Sequence, residues 1–163
     1  MGECGEFERE KKKNDHRSPM FIGEYSHSID TKKRLALPAK FRGEMGEKVV
    51  VTRGLDRCLF VYPMKVWESL AEKLGNLPVG EAGTRSFTRL MLAGAVDVEV
   101  DSQGRVLLPE YLKTYAGLDK EVTVAGVFNR LELWDVNEWQ RYKVQAEAQS
   151  GDIAEQLGKL GVY

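Results

Sequence analysis

A pattern of Asp-x-x-x-Arg followed by apolar-x-Leu-Pro occurs twice in this chain and constrains its fold more than any other feature. The first occurrence lies in IDTKKRLALPAKFR (29–42) and the second in VDSQGRVLLPEYLK (100–113). The register that places Asp30 on Asp101 continues, with one extra residue, as far as a tryptophan in each copy. A similarity of this length indicates that the chain contains two copies of one structural unit.

Each copy predicts the same series of elements. A short strand leads into the Asp turn, the Arg begins a second strand, and the proline that follows fits the first turn of a short helix. A hairpin rich in β-branched and aromatic residues and then a longer helix complete the unit. In the second copy Asp101 can accept hydrogen bonds from the backbone just ahead, Gly104 can take a positive φ, and Gly117 can end the helix.

The turn of the first copy departs from that of the second at one position. Lys33 stands where the second copy has Gly104. A residue with a side chain at positive φ costs about 1–2 kcal/mol. The first turn therefore either takes another shape or accepts that strain.

The remaining segments complete the predicted organisation. The leader has mixed charge and one large apolar residue, Phe7, so we expect it to be disordered. Apolar residues of GEAGTRSFTRLMLAGA recur at helical spacing and predict a helix between the copies. The predicted order is a disordered leader at 1–19, unit 1 at 20–80, a connecting helix at 81–96, unit 2 at 97–148 and a C-terminal tail at 149–163.

Composition limits the classes of function. A chain of 163 residues with 42% apolar content suits one domain or two intertwined halves. It has no apolar run of roughly 18 residues and no signal-peptide pattern, so we expect a soluble, cytoplasmic protein without a membrane partner. Cys58 lies in an apolar run and is predicted to be buried, and neither His16 nor His27 has metal-ligand spacing. We therefore expect no enzyme, no cofactor and no metal.

With its two turns, two hairpins and two helix pairs, the chain resembles the MraZ family, a bacterial branch of the wider AbrB-like (SpoVT-AbrB) group. The resemblance rests on four segments: Met20–Arg42, Gly54–Pro63, Arg89–Leu112 and Gly126–Trp139. It implies an α+β fold in which two tandem swapped-hairpin units form one pseudo-two-fold β-barrel with short flanking helices. It also implies a nucleoid-associated repressor of the division and cell-wall gene cluster. Such a protein binds repeats near the promoter as a ring-shaped homo-oligomer.

The basic side chains concentrate in the first copy. Five lie within eleven residues that include no acidic residue: Lys32, Lys33, Arg34, Lys40 and Arg42. The matching stretch of the second copy has Arg105 and Lys113 against Glu110. The resemblance implies that the turn arginines, Arg34 and Arg105, and the helix residues, Arg42 and Lys113, reach double-stranded DNA. We expect the first copy to dominate the contact with phosphate.

Two alternatives accompany this interpretation. Asp30 with Arg34, and Asp101 with Arg105, can be ion pairs that brace a turn, a role we assign to both aspartates together with Gly104. For Arg105 both interpretations stay open, whereas the basic neighbours of Arg34 favour DNA. The alternative function is an AbrB-like antitoxin or protein-interaction module, although such antitoxins usually have one unit followed by a disordered tail, and here a second unit takes that place.

Overall fold

The two copies of the repeat fold into the same series of strands and helices. The computed structural model describes residues 19–162. The predicted disorder of the leader therefore concerns residues that, except for Pro19, lie outside the described range.

The elements follow one another in the order that the repeat predicts. In the first copy they are β1 (Phe21–Ser28), β2 (Arg34–Ala36), α1 (Ala39–Met45), β3 (Lys48–Arg53), β4 (Leu59–Pro63) and α2 (Met64–Gly75). Between the copies lie α3 (Ala82–Thr88) and a short π-helix (Arg89–Ala93). In the second copy they are β5 (Val96–Glu99), β6 (Arg105–Leu107), α4 (Glu110–Ala116), β7 (Glu121–Phe128), β8 (Arg130–Asp135) and α5 (Val136–Ala148). A last helix, α6 (Ser150–Lys159), lies in the segment predicted to be a C-terminal tail.

The first strand of each copy pairs with the hairpin of the other copy. Six strands form an antiparallel sheet in the order β1-β7-β8-β4-β3-β5, and β2 pairs with β6 in a separate two-stranded sheet. Exchanging the strands of one copy for those of the other leaves this order unchanged, so the chain has pseudo-two-fold symmetry. The fold is α+β with two tandem units, as predicted. Among the described strands β1 pairs only with β7, and β5 only with β3.

The short helices begin where the sequence predicts them. Pro38 and Pro109 directly precede α1 and α4, each with φ near the value that the proline ring imposes. Gly117 ends α4 in the left-handed conformation, at φ 61°, as predicted. Asp135 caps α5 by accepting hydrogen bonds from the backbone N–H groups of Asn137 (2.9 Å) and Glu138 (3.1 Å).

Two clusters of apolar side chains hold the layers together. The larger lies between the six-stranded sheet, the two-stranded sheet and helices α1 and α4. In it Phe41 of α1 meets Phe21 and Tyr25 of β1 edge to face, with ring centroids 5.3 and 5.4 Å away. The smaller cluster includes Cys58, which is fully buried as predicted, and the half-buried Trp139 packs against it.

The connecting segment contains an irregular helix. The hydroxyl of Thr52 on β3 donates a 2.6 Å hydrogen bond to the carbonyl oxygen of Met91 in the π-helix. A π-helix is wider than an α-helix and changes the regular pattern of backbone hydrogen bonds. The buried hydroxyl of Thr52 gives the carbonyl of Met91 a partner at the point of that change. No helix within residues 19–162 is both long and apolar enough to cross a membrane.

Candidate nucleic-acid interface

The first Asp-x-x-x-Arg turn is held by one carboxylate. Oδ1 of Asp30 accepts hydrogen bonds from the backbone N–H groups of Lys32 and Arg34, both at 2.9 Å. Oδ2 accepts a 2.9 Å hydrogen bond from Nε of Arg34. The backbone closes the turn as well, because the N–H of Lys33 donates to the carbonyl of Asp30 at 3.0 Å. The aspartate therefore sets both the path of the turn and the direction of the guanidinium.

The second turn has the same arrangement. Asp101 accepts from the backbone N–H groups of Gln103 and Arg105 at 2.9 Å and from Nε of Arg105 at 2.8 Å. Backbone hydrogen bonds from Arg34 and Arg105, with help from their guanidinium groups, lower the pKa of Asp30 and Asp101. Both carboxylates are thus stabilised in the ionised form that the turn needs.

Lys33 adopts the backbone conformation that Gly104 has in the second turn. Its φ is 63°, and that of Gly104 is 75°. The first turn therefore has the same left-handed shape as the second and accepts the strain of a side chain at positive φ, rather than adopting another shape. The ammonium of Lys33 lies 2.8 Å from the carboxylate of Glu110 at the start of α4. The residue that replaces glycine in one unit therefore meets an acidic residue of the other unit.

Strands β2 and β6 form a short antiparallel pair, here called the ribbon. Its register places Arg34 opposite Leu107 and Ala36 opposite Arg105. Between these pairs Leu35 and Val106 point into the core and are fully buried. Since side chains alternate along a strand, Arg34, Ala36, Arg105 and Leu107 share the outward face of the ribbon.

Each end of the ribbon is tied to the turn of the other unit. The N–H of Leu37 donates to the carbonyl of Gly104 at 2.8 Å, and the N–H of Leu108 donates to the carbonyl of Lys33 at 2.9 Å. These reciprocal bonds place both turns and both arginines on one surface, related by the pseudo-two-fold axis.

The two short helices stand beside the turns of the opposite units. Nε of Arg42 on α1 donates a 2.9 Å hydrogen bond to the carbonyl of Leu37. Its side chain then passes over Gly104, so close that a Cβ on that glycine would lie 2.2 Å from Nε. The sequence grouped Arg42 with the basic residues of the first copy, but its guanidinium lies at the turn of the second. Burial and the charge of Arg42 lower the pKa of the half-buried His27.

The predicted DNA-contacting residues come from both units. The two turns and Arg42 lie around the ribbon, whereas Lys40 and Lys113 lie on the short helices α1 and α4. Lys32, Lys33 and Lys40 are exposed, and the remaining four are half-buried: Arg34, Arg42, Arg105 and Lys113. Residues 30–45 and 101–116 carry seven basic and four acidic side chains, in a chain whose formal net charge is −1. The surface around the ribbon is therefore more positive than the chain as a whole.

Other kinds of chemistry have little support in this part of the chain. Within residues 19–162 no three His, Cys, Asp or Glu side chains are placed to hold a metal ion. Burial raises the pKa of the Cys58 thiol, which makes it a poor nucleophile.

Comparison with known proteins gives the same family for a family model and for individual relatives. The family model described as "MraZ protein, putative antitoxin-like" matches the chain twice, at residues 20–90 and 91–159. A "Transcriptional regulator MraZ" of Desulforamulus reducens is 50% identical over 141 residues, covering 86% of this chain and 99% of the relative. Proteins of the same name from Carboxydothermus hydrogenoformans and Acetivibrio thermocellus are 51% and 46% identical, covering 85% and 88% of this chain and 96% and 100% of their own lengths.

Proposed function

The chain belongs to the MraZ family, and we propose that it regulates transcription by binding double-stranded DNA through the outward face of the ribbon. The relatives are named as transcriptional regulators, which supports DNA as the partner and agrees with the prediction that the chain is not an enzyme. The assignment of this face to DNA rests on one observation: the ribbon places Arg34 and Arg105 on the same outward surface.

The geometry of the turns suits DNA recognition. The side chains of Arg34 and Arg105 are 27% and 26% exposed. Arg34 directs Nε and Nη2 to Asp30, and Arg105 directs Nε to Asp101. The remaining N–H groups of each guanidinium are left for a phosphate or a guanine edge. A two-stranded ribbon is narrow enough to enter the major groove. Because the aspartates hold both arginines before DNA arrives, little side-chain entropy is lost on binding.

The finer parts of the proposal follow from the family. The DNA sites are repeats ahead of the promoter of the division and cell-wall gene cluster, the protein is nucleoid-associated and represses that cluster, and several chains act together as a ring. The six-stranded sheet and the ribbon form the two sides of the swapped-hairpin barrel. Neighbouring chains of a ring engage successive repeats at high effective concentration, so weak single contacts add up to tight binding.

Single substitutions in the two turns test the face. Arg34→Ala should weaken binding to the upstream repeats more than Arg105→Ala, because the exposed cation Lys32 flanks Arg34 at the position where Gln103 flanks Arg105. Lys33 does not add to this difference, since its ammonium is paired with Glu110. Each lost phosphate contact should also reduce the slope of log affinity against log salt by about one per engaged subunit. The turn should persist in Arg34→Ala, since Asp30 keeps its bonds to two backbone N–H groups.

A salt titration of binding measures both quantities. Lys159→Ala is a matched control, because it removes an exposed cation from α6, outside the proposed face. Thermal melts identify any variant that has lost its fold. Wild-type affinity and slope in folded Arg34→Ala would show that the turn is only a structural brace. Light scattering of the wild type tests the ring, which a monomer at micromolar concentration would exclude.

A further inference from the structure

Leu107 is an exposed leucine in the middle of the proposed DNA-binding face. Its neighbour Val106 is fully buried, whereas Leu107 is 54% exposed. It stands directly opposite Arg34 in the ribbon, and Arg105 lies two residues before it on the same side. An apolar side chain is thus flanked by the two arginines assigned to DNA.

The fold gives no reason for a leucine at this position. The equivalent residue of the first copy is Ala36, which occupies the same place in the ribbon. An alanine is therefore compatible with the strand, its register and the turn. The additional carbon atoms of Leu107 are largely in water rather than in the core, where they would stabilise the fold.

We propose that Leu107 contacts the 5-methyl group of a thymine in the major groove and so selects a T·A pair beside the bases or phosphates reached by Arg34. The inference rests on the proposed function. The thymine methyl is the apolar group on the base edges of the major groove, where the other groups are hydrogen-bond donors and acceptors. Leu107 lies between the guanidinium groups of Arg34 and Arg105, and the thymine methyl lies between hydrogen-bonding groups of the base edges. The two arrangements of apolar and polar groups are therefore complementary.

The asymmetry of the ribbon has a consequence for the DNA site. The side chain of Ala36 has three fewer carbon atoms than that of Leu107 and cannot extend equally far from the same backbone position. In each chain, then, only the second unit contacts a thymine methyl group. The stretch of DNA contacted by one chain is expected to be asymmetric, although the backbone that contacts it is nearly symmetric.

Replacing thymine by uracil removes the methyl and leaves base pairing intact. The probe is a short duplex that the wild-type chain selects from a random-sequence library, resynthesised with one dU in place of one thymine at a time. Wild type should bind about threefold to fivefold more weakly at one such position, the effect of losing one buried methyl-sized contact. Leu107→Ala should bind the parent duplex more weakly by a similar factor and be unaffected by the same dU. Its salt slope should equal that of wild type, because no phosphate contact is lost.

The outcomes separate this inference from the proposed function. Wild-type binding that is indifferent to every dU, equal sensitivity of folded Leu107→Ala, or a selected duplex without thymine in its protected stretch would each overturn the role of Leu107. If Arg34→Ala still lowers affinity and slope in those cases, the face stands and only the methyl contact is refuted. Absence of DNA binding by wild type, or a folded Arg34→Ala variant that binds like wild type, would refute the face and the role of Leu107 together.

Discussion

Replacing Gly104 with alanine should destabilise the protein much more than replacing Lys33 with glycine, although the two residues occupy equivalent turn positions. Both have a left-handed backbone, with φ 75° and 63°. The difference between them is the side chain of Arg42, which covers Gly104. A Cβ on Gly104 would lie 2.2 Å from Nε and 2.4 Å from Cδ of Arg42, so the arginine must move.

The magnitude follows from two contributions. A side chain in the left-handed region costs about 1–2 kcal/mol. Displacing Arg42 also removes its 2.9 Å hydrogen bond to the carbonyl of Leu37, a loss of about 1 kcal/mol for a half-buried group. Gly104→Ala should therefore cost roughly 2–3 kcal/mol, a fall in Tm of about 5–10 °C for a chain of this size. In Lys33→Gly the relief of strain is offset by the added freedom of the unfolded chain, so the change should stay within about 1 kcal/mol.

Urea denaturation at a fixed protein concentration measures these differences, with Arg42→Ala in both backgrounds as the control. Arg42→Ala should cost about 1 kcal/mol in the wild type and almost nothing beside Gly104→Ala, because that arginine has already lost its bond. Equal effects of Gly104→Ala and Lys33→Gly would refute the reasoning. So would full additivity of Gly104→Ala and Arg42→Ala, since it would mean that the arginine does not occupy the space above the glycine.

Three further predictions concern the fold. Phe41→Ala should lower the free energy of unfolding by about 3–5 kcal/mol in urea, because its buried ring is lost; a cost below about 1 kcal/mol would contradict this. The turn lowers the pKa of Asp30 and Asp101 from the usual 3.8, so the stability that these carboxylates contribute is present above pH 3.8 and is lost as the pH falls through the lowered pKa. Asparagine at both positions should therefore reduce the fall in the urea midpoint over this acidic range. An unchanged fall would show that the two aspartates do not stabilise the turns through their charge. In a Cys4→Ser variant the remaining thiol, Cys58, should react with a disulfide reagent only after unfolding, and rapid labelling of the native chain would show that it is accessible.

The features that the sequence predicts well depend on neighbouring residues. The Asp turns are closed by bonds between residues two to four positions apart, so their composition is sufficient to recognise them. The same holds for the prolines before α1 and α4 and for Gly117 after α4. The repeat then extends each local prediction to a second copy, which is why the order of strands and helices within both copies could be predicted.

The features that the sequence does not reveal are contacts between the copies. Lys33 was counted among the basic residues of the first copy, but its ammonium meets Glu110 of the other unit. Arg42 was grouped with the basic residues of the first copy, yet the exchange of strands brings its side chain to the turn of the second. Neither contact has a local signal. How much each basic residue contributes to DNA binding stays a prediction.

Two further features had a signal that was available in the sequence. In the ribbon strand Arg105–Leu107, alternation places an apolar residue on the same side as the arginine, which marks Leu107 as exposed. In the segment assigned to a tail, Ile153, Leu157 and Leu160 recur at helical spacing, and α6 forms there. Both patterns are short, and a short pattern carries little weight without the pairing or packing partner that explains it.

The exchange of first strands between the copies also governs how the chain can fold while it is being translated. β1 pairs with β7, with Phe21 opposite Phe128, so its partner leaves the ribosome roughly 100 residues later. At about 5–20 residues per second, β1 waits on the order of 5–20 s before its native hydrogen bonds can form. During that interval the nascent first copy has an unpaired strand and an uncovered apolar surface, the kind of surface that chaperones recognise. The first half of the polypeptide therefore cannot mature on its own, and native structure is completed only near the end of synthesis.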